Sequence, residues 1–381
     1  MTGTVGDRAA KRVQVLHAVR RINEASRWDL ARELDISLGT VRLVVDELAG
    51  HGLVVPSGSS QAKVGRPSAH WSLNPDGPVA VGVDLAEVEL RIGVYSLGGN
   101  ALETLRVPFR RTGGNADPQQ VVEAVRSLES FRTLTVAGVG LAVPGQLDIA
   151  SGRVVLSTNL GWRDVPLRDL VAEAVDVPVS MDRNANAGML GEAWWGPRLD
   201  HAVSVFVTVG SGVGASVRVG EHIVTGESGL AGELGHMVID PGGPRCRCGQ
   251  RGCLETFASA TAIQRLYDKR RGPVDPPDVT TAIRARNPAA MECLGTAVDH
   301  LALGLAGLVN LLNPGLLVVG GLLLEAPVEI LDRLRRRVRE GSLTSSGRDV
   351  EITASKLGPD GVLLGAASLV FSALFAEMLA S

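Results

Sequence analysis

The sequence predicts an α/β protein in two parts, a small helical head and a larger body made of two similar lobes. Residues 1–71 show helical periodicity followed by a short pair of strands, whereas from residue 79 hydrophobic strands alternate with helices. A strand hairpin with a tight turn occurs twice in the body, near Asp84 and near residues 210–214. The length of 381 residues suits two or three domains.

Composition and charge exclude several classes of protein. The chain is 45% hydrophobic and 21% charged, which excludes a disordered or fibrous protein. Residues 1–71 hold ten Lys and Arg against seven Asp and Glu, although the whole chain has a net charge of -3. A basic head on an acidic body favours contact between the head and a polyanion.

One uncharged stretch, residues 301–324, is long enough to span a bilayer. Asn-Pro-Gly at 313–315 interrupts it, so we expect a buried helix, a turn and a buried strand instead. No apolar run follows the first basic residues, and a secretory signal is therefore not expected. We expect a cytoplasmic protein that does not enter a membrane.

The head has the pattern of a winged helix-turn-helix. A helix over 9–22 is predicted by one apolar face, which consists of Val13, Leu16, Val19 and Ile22. Ser26 is placed to cap a second helix, and Asp35-Ile36-Ser37 forms a turn before a third helix over 38–49 that Ser37 caps. This spacing is typical of a module whose third helix enters the major groove of DNA.

After Gly52, strand, polar loop and strand follow each other as in a wing. We therefore predict a DNA-binding domain over residues 1–74, and the alternative is a three-helix dimerisation or peptide-binding module. The predicted DNA contacts are Ser37, Thr40 and Arg42 at the third helix and Lys63 and Arg66 in the wing loop.

The body predicts a two-lobed actin-like ATPase fold over residues 79–381. Its strands are expected at 79–97, 138–145 and 177–183, and in a hairpin over 204–220. Lobe I is predicted over about 79–183 with a C-terminal helix at about 362–381, and lobe II over about 184–361. The duplicated hairpin motif is what such a fold shows.

Three of the four cysteines lie within eight positions, at Cys246, Cys248 and Cys253. Two cysteines separated by one residue rarely form a disulfide, because the required geometry is too demanding. Three thiolates that converge through glycine turns suit a tetrahedral zinc ion with a fourth ligand. The alternative is three buried reduced cysteines; the isolated Cys293 is expected to be a core residue.

Seven motifs resemble one protein family over essentially the whole chain. They are LAVPG (141–145), STNLGW (157–162), NANAGMLGE (184–192), VGSGVG (209–214), GLAGELGHM (229–237), CRCGQRGCLE (246–255) and NPGLLVVGG (313–321). These motifs resemble the ROK family of repressors, open reading frames and sugar kinases. The winged head is similar to that of its repressor branch, which includes xylose- and N-acetylglucosamine-type regulators.

The resemblance implies a structural zinc site and a sugar pocket. The zinc motif spans 236–255, with His236 as fourth ligand beside the three cysteines. The implied sugar contacts are Asn159, Asn184, Glu233, His236 and Glu255. Amide and carboxylate oxygens around one pocket suit a polyol; the alternative for Glu233 is a solvated surface charge.

Two departures from the family's kinases imply that no residue is catalytic. The glycines of the kinase phosphate turn are replaced by Ala86 and Glu87, and Glu89 adds a second carboxylate where triphosphate would lie. Asn184 stands at the position of the catalytic base, and an amide cannot accept a proton from a sugar hydroxyl. Such a loss typically costs about 10²–10⁴-fold in rate. Asp182 is the alternative base, because on an extended strand its side chain would lie on the same side as Asn184.

The sequence therefore predicts a sugar-responsive transcriptional repressor that binds double-stranded operator DNA as a homodimer or tetramer. Its ligand is expected to be a small sugar or sugar derivative. Glucose, xylose, N-acetylglucosamine and phosphorylated sugars all remain compatible. The alternatives are an active sugar kinase with an attached DNA-binding head, and a zinc-stiffened oligomerisation scaffold whose pocket binds nothing.

Overall fold

The computed structural model describes residues 5–60, 68–86, 88–197 and 199–380. The predicted wing contacts Lys63 and Arg66, and Glu87 of the altered phosphate turn, lie outside the described residues.

The head is a three-helix unit with a small sheet. Its elements are α1 (Val5–Ile22), β1 (Ala25–Ser26), α2 (Arg27–Leu34), α3 (Leu38–Gly50), β2 (Val54–Ser60) and β3 (Ser68–Leu73), and the strand order is β1-β3-β2. Ser26 caps α2 in a reciprocal capping box with Asp29, and Ser37 caps α3. Asp35 ends α2 in the left-handed conformation (φ 51°). These local features confirm the predicted helix-turn-helix.

Lobe I is built on a five-stranded sheet in the order β13-β9-β4-β5-β6. Its elements are β4 (Val79–Leu85), β5 (Glu89–Tyr95), β6 (Ala101–Pro108), β7 (Arg111–Thr112), β8 (Asn115–Ala116), α4 (Gln119–Arg126), α5 (Ser130–Thr133), β9 (Val136–Val143), β10 (Gln146–Asp148), β11 (Arg153–Ser157), β12 (Trp162–Val165), α6 (Leu167–Ala172) and β13 (Val179–Arg183). The strand β4 pairs antiparallel with β5 and parallel with β9.

Lobe II repeats this arrangement with the sheet order β16-β15-β14-β17-β18. Its elements are α7 (Asn184–Trp195), β14 (Val203–Val209), β15 (Val213–Val219), β16 (His222–Ile223), α8 (Glu255–Ala258), α9 (Ala260–Asp268), α10 (Val279–Arg284), α11 (Pro288–Leu312), β17 (Leu316–Gly321), α12 (Val328–Gly341), α13 (Thr344–Asp349) and β18 (Glu351–Ala354). The central strand β14 again pairs antiparallel with β15 and parallel with β17. The two sheets share one topology, which confirms the predicted α/β two-lobed fold.

The C-terminal helix α14 (Gly361–Ala380) packs on the sheet of lobe I and along α7. Glycines allow the close approach, since a Cβ at Gly140 would overlap the carbonyl of Ala366 and one at Gly365 would overlap that of Ala187. Helix α14 therefore contacts both α7 and strand β9 backbone to backbone.

In the part of the chain that the structure describes, two apolar helical segments are long enough to cross a membrane by length and composition, α11 and residues 358–376. Their most apolar windows are 61% and 50% buried inside the fold, as in core helices of globular proteins. After α11, Asn313 adopts a left-handed conformation and β17 begins at Leu316. The prediction of helix, turn and strand for the uncharged stretch is confirmed.

Candidate functional site

A cleft of about 680 Å³ separates the two lobes and is lined by residues from both. All five residues predicted to contact a sugar line this cleft: Asn159, Asn184, Glu233, His236 and Glu255. The same cleft is lined by the glycine-rich turn at 210–214, which joins β14 to β15.

The segment that carries Glu233 and His236 lies flat against the β14–β15 hairpin. Gly232 has a positive φ of 90°, and a Cβ there or at Gly235 would overlap hairpin carbonyls. Glu233 Oε1 accepts a hydrogen bond of 3.1 Å from the Arg183 guanidinium, and its other oxygen lies 3.8 Å from His236 Nε2. Glu233 is therefore held inside the cleft by a cation, unlike a freely solvated surface charge.

The predicted metal ligands form one compact cluster. The ligand atoms of His236, Cys246, Cys248 and Cys253 all lie within 4.8 Å of one another. Two of the separations are 3.7 Å, from Cys246 Sγ to His236 Nδ1, and 3.6 Å, from Cys248 Sγ to Cys253 Sγ. A tetrahedral zinc ion with Zn–S bonds of about 2.3 Å places its sulfur ligands about 3.8 Å apart. The donor set and its spacing fit that metal.

The cluster adjoins the cleft through His236 and Glu255. Nδ1 of His236 faces the cysteines while Nε2 faces Glu233. Glu255 Oε1 lies 3.0 Å from Cys246 Sγ and 3.9 Å from His236 Nδ1. A metal held by the cluster would thus fix the orientation of two side chains that line the cleft.

Asp84 also lines the cleft, where it is buried and fully paired. It faces Arg91 across the β4–β5 hairpin, and the Arg91 Nε donates a 3.1 Å hydrogen bond to Asp84 Oδ2 while a second guanidinium nitrogen also contacts that oxygen. Asn184 Nδ2 donates a 2.7 Å hydrogen bond to Asp84 Oδ1. Among the described residues, Asn184 Oδ1 is buried without a hydrogen-bond partner, which leaves an acceptor for a ligand hydroxyl.

The lobes also touch across the glycine-rich turn. Asn159 Nδ2 of lobe I donates a 2.8 Å hydrogen bond to Ser211 Oγ, and Thr261 donates to the carbonyl of Ser211. The turn is thereby attached to the loop before β12 and to the start of α9.

Asp182, the alternative general base, does not lie among the residues that line the cleft. Burial raises the pKa of Asp182, and its Oδ1 accepts hydrogen bonds from Asn186 and from the backbone of Arg183. The expectation that Asp182 and Asn184 share a side was wrong, because β13 ends at Arg183 and Asn184 is the first residue of helix α7.

In the head, α3 buries Val41, Val44, Val45 and Leu48 and leaves its other face exposed. Arg42 is on the exposed face, with 73% of its side chain accessible. Thr40 Oγ1 lies 2.8 Å from Ser37 Oγ, and the hydroxyl of Ser37 also accepts the Thr40 amide. Ser37 thus has a capping role, while the side chain of Arg42 extends into solvent.

A junction between head and body was not foreseen from the sequence. His17 of α1 packs edge-on against Trp194 with ring centroids 4.6 Å apart, and Arg20 lies 5.0 Å over the ring of Trp195. Trp194 also stacks on Phe375 of α14. Burial, followed by the charges of nearby arginines, lowers the pKa of His17 to about 3.

The comparisons with known proteins agree with this architecture. The sequence model of the ROK family matches residues 80–373. The chain is 30% identical over 372 residues to a putative xylose repressor of Caldicellulosiruptor sp. (strain Rt8B.4), covering 92% of each chain. It is 32% identical to a glucokinase of Thermotoga maritima, covering 76% of this chain and 96% of the glucokinase. The crystal structure of a ROK family transcriptional regulator, a homologue of the E. coli MLC protein, superimposes with a TM-score of 0.76 at 24% identity and covers 98% of both chains.

Proposed function

Because the chain belongs to the ROK family and its head is part of its match to a repressor, we propose that it is a sugar-responsive transcriptional repressor. The observation that carries this proposal is a helix-turn-helix head combined with a cleft that is altered where the family's kinases act. In that cleft Asn184 stands at the position of the catalytic base, and Asp84 is paired with Arg91. The kinase relative matches without the head, since it covers only 76% of this chain.

The head is proposed to bind operator DNA through α3. Arg42 extends from the exposed face, and Thr40 and Ser37 lie at the N-terminal end of the helix, which commonly approaches base edges in such modules. Lys63 and Arg66 of the wing loop are proposed phosphate contacts. A homodimer or tetramer would place two heads on half-sites about 34–36 Å apart, or a multiple of that distance.

The cleft is proposed to bind a sugar through Asn159, Asn184, Glu233, His236 and Glu255. The free Asn184 Oδ1 and the carboxylates of Glu233 and Glu255 supply acceptors for hydroxyl groups. Such a site discriminates strongly against analogues that lack a hydroxyl, since they leave buried acceptors unpaired.

The metal cluster is proposed to hold structural zinc. Bound zinc would fold the 246–253 loop against His236 and keep the ring nitrogen Nε2 directed to the ligand side. The chain's own contribution is the orientation of His236 and Glu255 in the cleft.

Helix α7 is proposed to carry the sugar signal to the head. Its first residue, Asn184, lies in the cleft, and its last residues, Trp194 and Trp195, contact His17 and Arg20 of α1. A sugar that binds one lobe arrangement more tightly shifts the population toward it. That shift would tilt α7 and displace the head from its operator.

The second candidate, an active sugar kinase with a DNA-binding head, is favoured by the glucokinase relatives and by the retained glycine-rich turn at 210–214. Asn184 offers no base for the sugar hydroxyl, Asp84 is neutralised by an arginine, and Ala86 replaces a phosphate-turn glycine. We therefore propose that the chain is not an enzyme and that it acts in the cytoplasm.

The test is a fluorescence-anisotropy titration of the full chain on its own upstream DNA, repeated over a panel of sugars with and without ATP. We expect one sugar or sugar derivative to change operator affinity and ATP to have no effect. Consumption of ATP with that sugar would instead establish the kinase. Arg42→Ala provides a variant that should lose DNA binding and keep sugar binding.

A further inference from the structure

Asp84 and Arg91 both line the cleft and are not among the proposed sugar contacts. Asp84 is 2% exposed, and the Arg91 side chain is 16% exposed. Arg91 also donates a 3.0 Å hydrogen bond to the carbonyl of Pro359, just before α14. The guanidinium is therefore fixed between β4, β5 and the start of α14.

Every acidic side chain that lines the described part of the cleft is already engaged by a group of the chain itself. Asp84 is bound by Arg91 and Asn184, and Glu233 by Arg183. Glu255 lies against the cysteine cluster, and Asp278 accepts the amide and hydroxyl of Thr281 as the N-cap of α10. A magnesium ion in a nucleotide site is held by one or two free carboxylates together with the phosphates. The described residues that line the cleft offer no such free carboxylate.

We propose that Arg91 is a built-in cation that occupies the metal-binding side of Asp84, so that Asp84 orients Asn184 for the ligand instead of binding a divalent cation. This inference rests on the proposed sugar-binding function. The carboxylate fixes Asn184 Nδ2, which leaves the amide oxygen as the unpaired acceptor. Asp84 and Arg91 are positioning residues in this scheme, and the selected ligand is a polyol that brings no metal-bound triphosphate.

The positive charge of Arg91 explains why a divalent cation is strongly excluded from Asp84. With Arg91 in place the Asp84–Arg91 pair is neutral, and an added divalent cation meets a guanidinium at a short distance in a poorly solvated site. Removal of the guanidinium leaves a buried carboxylate without its counter-ion, and buried charges in proteins are either paired or coordinate a metal.

The experiment measures Mn²⁺ binding by electron paramagnetic resonance, with sugar binding by calorimetry on the same samples, using the zinc-loaded full chain. We expect no saturable Mn²⁺ binding in the wild type at millimolar concentration, with or without ATP. Arg91→Gln should bind Mn²⁺ at least about tenfold more tightly, and adding Asp84→Asn should abolish the gain. Arg91→Lys, which keeps the charge, should show no gain.

The matched control is Arg106→Gln on the neighbouring strand β6. Arg106 is 59% exposed and lies near Glu89 and Asp360, without contact to Asp84, so its loss should not create a metal site. Tight Mn²⁺–ATP binding by the wild type would overturn the inference even if Arg91→Gln failed to fold. A folded Arg91→Gln chain that gains no Mn²⁺ would overturn it as well. If no sugar binds the wild type while the Mn²⁺ results are as expected, the proposed sugar-binding function is wrong. The inference that Arg91 keeps metal ions away from Asp84 is then still supported.

Discussion

Replacing His17 with alanine should weaken the communication between cleft and head. His17 belongs to α1 of the head, and its ring packs in an edge-to-face arrangement with Trp194 at the end of α7. Aromatic pairs of this kind contribute about 0.5–1.5 kcal/mol beyond the area they bury. If this contact differs between the free and sugar-bound arrangements, its loss removes up to that much coupling free energy.

The expected result is a reduction by about 2- to 13-fold in the factor by which sugar changes operator affinity. The assay is operator anisotropy with and without saturating sugar, on wild type and variant, at one salt concentration. Operator affinity without sugar should stay within about twofold, because His17 lies on the side of α1 that faces the body.

Two variants make the result specific. His17→Phe keeps a ring against Trp194 and should retain most of the response, whereas His222→Ala removes an exposed histidine of β16 and should change nothing. The reasoning is refuted if His17→Ala responds to sugar by the same factor as the wild type while its thermal unfolding remains cooperative.

The remaining predictions concern the metal, the cleft and pH. Cys248→Ser should lower the zinc content, measured by mass spectrometry, toward zero per chain and should reduce the sugar response. The control Cys293→Ser changes a cysteine that is buried in α11 away from the cluster, and it should leave the zinc content unchanged. Equal zinc contents in both variants would contradict the ligand assignment. Glu233→Gln should weaken sugar binding by about 10- to 150-fold, because hydrogen bonds to charged groups contribute about 1.5–3 kcal/mol, and calorimetry that finds wild-type affinity would remove Glu233 from the site. The pKa of His17 is lowered from 6.5 to about 3 in the fold. Between these two values only the unfolded chain takes up the proton, so the contribution of His17 to stability is complete above pH 6.5 and is lost as the pH falls toward 3. Between pH 7 and pH 5 the free energy of unfolding, measured by urea denaturation, should therefore fall less steeply in His17→Phe than in the wild type. The two slopes should differ by at most about 1.4 kcal/mol per pH unit. Equal slopes would show that His17 is not buried as described.

Sequence-local features were predictable because the chemistry lies within a few residues. The caps Ser26 and Ser37, and the left-handed Asp35 between them, follow from side chains that satisfy their own helix ends. The repeated hairpin predicted two lobes, and both sheets have that topology. The cysteine spacing predicted a cluster, which the fold completes with His236.

Features that depend on two distant segments were not predictable in the same way. Arg91 faces Asp84 only in the register of the β4–β5 hairpin, and Asn184 reaches the same carboxylate from 100 residues away. The pairing of Asp84 with Arg91 could have been found from the short turn between the strands. The contact of His17 with Trp194 could not, because it depends on how the head docks on the body.

The misplacement of Asp182 has a simple cause. The expectation placed Asn184 at the end of an extended strand, in which every second side chain lies on one side. The strand ends one residue earlier, and a helix begins at Asn184. A change of one residue in an element boundary therefore moved a carboxylate out of the cleft.

The close backbone contact of α7 with α14 gives the chain a lever of fixed length. Gly365 against Ala187, and Gly191 against Gly361, leave no room for the two helices to slide past each other. Helix α7 has 12 residues and is about 18 Å long. A tilt of about 10° at its cleft end thus carries its tryptophan end through about 3 Å, close to the rise of about 3.4 Å between successive nucleotides in a strand of DNA. A rotation that is small for the lobes would thus displace the contact between α7 and α1 of the head by about this distance.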